Sequence, residues 1–185
     1  MSRFHSAGFL VAFLAATSLS RAAEDPKFPK PQKEHQWLQQ LAGEWEAEVE
    51  VFMEPGQPAV KSHGTESVRT IGGFWIVAES KGDMMDVPFT GLLTLGYDVP
   101  TAQYVGTWID SMNGYLWKYE GALDPTGKVL TLHAEGPCPM APGELSQFKE
   151  VLELKSPDHK VFTSSIQGED GKWTRVMTIN YRRTK

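Results

Sequence analysis

Residues 44–53 alternate in character: Glu44, Glu46, Glu48 and Glu50 take one set of positions, and Trp45, Ala47, Val49, Val51 and Met53 take the other. Only an extended strand puts successive side chains on opposite faces, so this run predicts a half-buried strand with its glutamates in water. A helix would spread the same glutamates around its whole surface. One buried strand face must be covered by another, so the chain has to supply more sheet.

Turn chemistry shows where that sheet comes from. It recurs at Glu54-Pro55-Gly56, Gly72-Gly73, Asp98-Val99-Pro100, Asn113-Gly114, Asp124-Pro125-Thr126-Gly127, Ser156-Pro157-Asp158 and Glu169-Asp170-Gly171. Glycine and Asn tolerate positive φ, Pro fixes φ, and Asp bonds its own backbone, so each cluster punctuates the chain. Between them, residues 60–71, 74–80, 89–97, 104–112, 115–121, 128–135, 148–154, 161–167 and 173–182 are rich in Val, Ile, Thr, Tyr, Phe and Trp. These residue types fit a pleated surface. With 44–53 they predict about ten strands, and Asn113-Gly114 predicts a two-residue hairpin turn. Short connections make neighbours antiparallel, and closing the sheet on itself removes both exposed edges. The expected fold class is therefore all-β, an antiparallel up-and-down barrel. Trp37, Leu38 and Leu41 recur at helical spacing until Gly43, which predicts one short helix before the first strand. The stretch 136–145, with three prolines and Cys138, is the main interruption and is expected over a barrel mouth.

Length and composition set the domain count. A chain of 185 residues with 41% hydrophobic content buries one good core and is too short for two ordinary domains. Arg3, an apolar run over 7–19 and the small residues near Ala22 predict a signal peptide over 1–22. A Pro- and Lys-rich leader over 23–33 and a single domain over 34–185 would follow. The apolar run stops short of the ~20 residues that span a bilayer. The expectation is an exported protein, periplasmic or secreted, with no stable membrane insertion after cleavage. A net charge of -5 offers no cationic surface for nucleic acid. Cys138 is the one cysteine, so no intrachain disulfide can form, and a monomer or weak homodimer is expected. His35, His63, His133 and His159 lack ligand spacing, and no Gly-x-Ser-x-Gly elbow presents a nucleophile. No metal, no cofactor and no catalytic residue is assigned.

Parity along the strands nominates an interior. It places Trp45, Val49 and Val51 inside; Tyr115, Trp117 and Tyr119 inside, with Lys118 and Glu120 outside; and Trp108 on the face of Tyr104 and Asp110. Glu150 shares a face with Phe148, Leu152 and Leu154, and Arg175 with Trp173, Met177 and Ile179. An unpaired buried charge costs several kcal/mol, so Asp110, Glu150 and Arg175 are the polar candidates. The candidate ligand-binding set is Trp45, Trp108, Asp110, Tyr115, Trp117, Tyr119, Glu150 and Arg175. The leading expectation is a non-enzymatic barrel that binds a small apolar or amphipathic ligand. The alternatives are a cofactor-independent isomerase, cyclase or hydrolase using Asp110 or Glu150, and a cell-envelope interaction module using the glutamate face.

Two resemblances bear on this. A helix followed by Gly43-Glu44-Trp45 resembles the Gly-x-Trp opening of lipocalins and other calycins, which implies a closing Arg packed on that Trp, at Arg182 or Arg175. Over most of the chain, His35, Trp37-Leu38, Gly43-Glu44-Trp45, Gly72-Gly73-Phe74, Gly91, Leu95-Gly96-Tyr97-Asp98, Trp108-Ile109-Asp110-Ser111-Met112 and Tyr181-Arg182 resemble a bacterial domain-of-unknown-function family with a calycin-like barrel. That resemblance implies the barrel and brings no activity. A more distant likeness, to nitrobindin-like haem barrels, breaks off at Ala47, where their opening motif continues with Gly.

Overall fold

The computed structural model describes residues 28–53, 56–84, 86–139, 141 and 143–185. The expected signal peptide lies outside them. The chain divides into two compact units, Met1–Lys30 and Pro31–Lys185. Of the first, only residues 28–30 are described, and they carry no helix or strand.

The second unit holds one helix, α1 (Lys33–Gln39), and ten strands: β1 (Gly43–Val51), β2 (Val60–Ile71), β3 (Trp75–Met84), β4 (Val87–Asp98), β5 (Gln103–Asp110), β6 (Trp117–Leu123), β7 (Val129–Pro137), β8 (Leu145–Ser156), β9 (His159–Gln167) and β10 (Trp173–Arg183). Each strand pairs antiparallel with the next, and β1 pairs with β10, so the meander closes into a barrel as expected. Closure leaves no edge to template another strand. No helix among the described residues is long and apolar enough to cross a membrane.

One end of the barrel is plugged by α1. Gln32 N–H donates to His35 Nδ1 at 3.0 Å to cap the helix, and the His35 ring meets Phe74 and Tyr97 edge-on at 5.1 and 5.6 Å. Trp37 Nε1 donates to Gly127 O (2.8 Å) and Tyr104 Oη to Glu34 O (3.2 Å), tying the helix to the β6–β7 connection and to β5. Trp37, Leu38, Leu41, Trp45, Ile76, Leu95, Tyr104 and Leu130 make the dry layer beneath it. Trp45 is fully buried and donates its indole N–H to Leu41 O at 3.0 Å.

The closing arginine is Arg183, not Arg182 or Arg175. Register sets Trp45 opposite Arg183 and Glu46 opposite Arg182, so parity turns Arg182 outward with the glutamates. The Arg183 guanidinium stacks 4.1 Å above the Trp45 ring. It also donates to the carbonyls of Ala42, Gln40 and Pro157, which α1 and the β8–β9 turn leave unpaired. A charge placed over a ring and satisfied by three carbonyls is a stable lid.

Two local expectations are corrected. The β5–β6 pairing ends at Trp108 opposite Trp117 and β5 itself ends at Asp110, so residues 111–116 join the two strands in place of a tight turn at Asn113-Gly114. There Asn113 Oδ1 accepts from Tyr115 N–H at 2.8 Å, an Asx turn that uses the Asn without the predicted hairpin. In β10 the register slips between Arg175 and Met177. The extra residue, Val176, flips the parity below it. Met177, Ile179 and Tyr181 face inward, whereas Trp173 and Arg175 face outward.

Candidate functional site

The inward faces do not fill the barrel. They enclose a cavity of about 560 Å³ that runs from the floor under α1 toward the opposite end, where Met84, Asn113 and Pro137 to Pro139 border it. Its wall is aliphatic and aromatic: Val49, Leu93, Leu95, Phe89, Trp108, Trp117, Phe148, Leu152 and Phe162. The loop after β7 borders the mouth through Cys138, as the sequence suggested.

Two glycines explain why large rings leave the lumen open. A Cβ on Gly136 would lie 2.0 Å from the Trp117 ring, and one on Gly91 would lie 2.2 Å from the Trp108 ring. Each indole therefore lies flat in the slot left by a missing side chain. Trp117 meets Phe148 edge-on at 4.9 Å, and Trp108 stacks on Phe89 at 6.2 Å.

Two buried acidic side chains, Glu66 and Glu150, interrupt this wall. Near the floor, Lys160 of β9 bonds Glu66 of β2, with both side chains almost wholly buried. The Lys160 ammonium also sits 4.4 Å over the Trp45 ring and 4.6 Å over the Tyr181 ring. Burial pushes the ammonium pKa down while Glu66 opposes the shift. Burial, and then the Glu66 charge, pushes the Tyr181 phenol well up. The cluster is charge-balanced and packed into four neighbouring strands.

Higher on the wall, Glu150 is 5% exposed and has no cationic partner. Ser164 Oγ donates to its Oε1 at 3.0 Å, and its Oε2 is buried with no partner. Burial pushes its carboxyl up to about 8, and the Ser164 bond pulls the other way. Near neutral pH the group is thus mostly the uncharged acid. Burial, with the charges of Glu150 and Asp110, raises the Tyr119 phenol beyond its ordinary range. Trp117 Nε1 is also buried without a partner.

The other sequence candidates divide. Trp108, Asp110, Trp117, Tyr119 and Glu150 all line the cavity. Asp110 is engaged, however. Its Oδ2 accepts from Trp108 Nε1 at 2.9 Å and its Oδ1 from Met112 N, Asn113 N and Asn113 Nδ2 at 2.8, 3.2 and 3.3 Å, which makes it the anchor of the β5–β6 loop. Trp45 lies in the floor beneath the lumen, under Lys160. Tyr115 sits before β6 with its ring edge-on to Trp117 at 5.5 Å and does not line the cavity. Arg175 is outside, 4.4 Å over the Phe52 ring, because the Val176 bulge turned it out. Glu66, Lys160 and Ser164 are buried polar residues of the cavity lining that the sequence reading missed. Glu66 was the more visible of the pair, since it alternates with Ser62, Gly64 and Val68 against a polar set of Lys61, His63, Thr65 and Arg69.

Among solved structures, the fold is similar to the crystal structure of Rv2717c from M. tuberculosis, at 12% identity, 84% of this chain, 100% of that chain and a TM-score of 0.59. Lesser likenesses are to a redesigned β-barrel (14% identity, 85% and 100% covered, TM-score 0.43) and a de novo designed fluorescence-activating β-barrel (16%, 80% and 96%, 0.43). No curated protein matches the chain in sequence. A helix-capped ten-stranded barrel of this sequence matches one family over residues 30–183, and the chain belongs to that family, described as Protein of unknown function (DUF1579).

Proposed function

We propose that this protein is an exported carrier that binds a small apolar or amphipathic molecule inside the barrel, without catalysis. The observation that carries the reading is the open lumen of about 560 Å³. A structural barrel would bring its side chains to crystal-like density, because unfilled apolar volume forfeits dispersion contacts. Here Gly91 and Gly136 hold two indoles back against the wall. The volume falls in the range of roughly 300–1,000 Å³ typical of small-molecule sites. Export rests on the charged, apolar and small-residue pattern of 1–22.

The test is titration with Nile red, an uncharged dye whose emission brightens and shifts to the blue in apolar surroundings. One saturable site per chain is expected. Leu93→Trp, which projects an indole into the lumen, should weaken it several-fold while far-ultraviolet circular dichroism stays unchanged. Absence of saturable binding, or an affinity that Leu93→Trp leaves unchanged in the folded variant, would place the dye elsewhere and defeat the reading.

A second reading draws on Glu150. A buried carboxyl raised to about 8 is poised to exchange a proton near neutral pH, as a general acid or base must be. On that reading Glu150→Gln abolishes turnover of a bound molecule, whereas on the carrier reading nothing is turned over.

A further inference from the structure

We propose that the lumen selects an apolar molecule bearing a neutral hydrogen-bond-accepting oxygen, such as a ketone, ester or amide, and rejects the corresponding carboxylate. The selecting groups are Glu150 and Trp117, which flank Phe148 on one wall. This inference rests on the carrier reading and adds the chemistry of the ligand.

The donors come first. Trp117 Nε1 is an indole N–H, which can only donate, and it is buried without an acceptor. Ser164 donates to Glu150 Oε1, so Oε2 is left to carry the proton of the neutral acid, and it too is buried without a partner. Both side chains border the same cavity. Trp117 touches Phe148 edge-on at 4.9 Å, and Phe148 and Glu150 are successive inward residues of β8. Two unpaired donors in an apolar wall are unfavourable until something accepts from them. An acceptor oxygen on a bound molecule is what this wall lacks.

The charges then decide the sign. A carboxylate entering the lumen needs a cation, and the basic side chains near it are committed. Lys160 is bonded to Glu66 and enclosed by two rings. Lys81 pairs with Glu79 at 2.7 Å on the outer face. Arg183 is held by backbone carbonyls at the α1 end of the barrel and does not line the lumen, and Arg175 lies outside. An anion would thus be buried uncompensated, which costs far more than one hydrogen bond returns.

Three probes that share one ring system test this by isothermal titration calorimetry at pH 6.5: naphthalene, 2-acetylnaphthalene and 2-naphthoate. The expected order is the ketone tightest, about tenfold over naphthalene, with naphthoate weaker than both. Glu150→Gln keeps a donor in place and should keep the ketone preference. Glu150→Leu and Trp117→Phe should each shrink it to a few-fold or less while naphthalene still binds. Trp117→Phe removes only the N–H and its ring, so it keeps the test open if Glu150→Leu fails to fold. If naphthalene binds and the ketone binds no tighter, or naphthoate binds tightest, this inference is overturned and the carrier reading stands. If none of the three binds, both are overturned.

Discussion

Glu150 should make the protein lose stability as pH rises through neutrality. Its carboxyl is 5% exposed, and burial raises it from an ordinary value of 4.5 to about 8. The unfolded chain ionises near the ordinary value and the folded one near the raised value. Between the two the unfolded state therefore binds fewer protons and is favoured as pH rises. The Glu150 contribution is intact below about pH 4.5 and lost progressively until the pH passes about 8. At 1.36 kcal/mol per pH unit, the loss is roughly 3 kcal/mol by pH 7 and roughly 5 kcal/mol in all. Ser164 of β9, which bonds Glu150, does not titrate, and the phenol of Tyr119 of β6, on which the Glu150 charge acts, stays neutral over this range. Glu150→Gln removes the titration and keeps an amide that can accept from Ser164. Equilibrium urea unfolding of both proteins from pH 5 to pH 9 should show wild type losing stability relative to Glu150→Gln, with the gap widening by several kcal/mol. Parallel stability profiles would refute a buried, uncharged Glu150.

Other substitutions probe the floor, the slots and the outer face. Lys160→Met leaves Glu66 buried without its cation and should cost about 3–5 kcal/mol in urea unfolding, whereas Glu66→Leu with Lys160→Met should recover much of that loss. Gly136→Ala drives a methyl into the Trp117 ring and pushes the indole into the lumen, with about 1–3 kcal/mol of destabilisation and weaker Nile red binding. Arg175→Ala, on the outside against Phe52, should leave Nile red affinity unchanged; a large loss would mean that Arg175 reaches the lumen.

The barrel was legible because period two and turn chemistry are local signals. The glutamate-faced strand, the turns and the helical spacing of Trp37, Leu38 and Leu41 each depend on neighbours a few residues away. Closure followed from strand count and short connections. Parity also brought Trp108, Trp117, Tyr119 and Glu150 to the lumen, since the stretches that carry them, 104–110, 117–121 and 148–154, run without slippage. It failed where the period is interrupted. One inserted residue at Val176 reversed Arg175, and nothing in Thr174-Arg175-Val176-Met177 marks a bulge. Asn113-Gly114 read as a hairpin turn because that dipeptide favours one, but the Asp110 cap and the Trp108–Trp117 pairing set the loop. The Lys160–Glu66 pair was hidden for a different reason. The two residues are 94 positions apart and meet only through β1 and β10, so neither strand alone reveals that its inward charge has a partner. Lys160 also follows a turn beside Phe162 and Ser164, with Val161 and Thr163 on the other face, a pattern in which neither face is clearly apolar.

The carrier account is tested most directly by native mass spectrometry of the protein purified from its own source, followed by denaturation and identification of whatever small molecule is released. The account predicts one molecule per chain, apolar over most of its surface, bearing an accepting oxygen and no net negative charge. Protein that arrives empty from its own source and has no saturable affinity for Nile red or the naphthalene probes would contradict it.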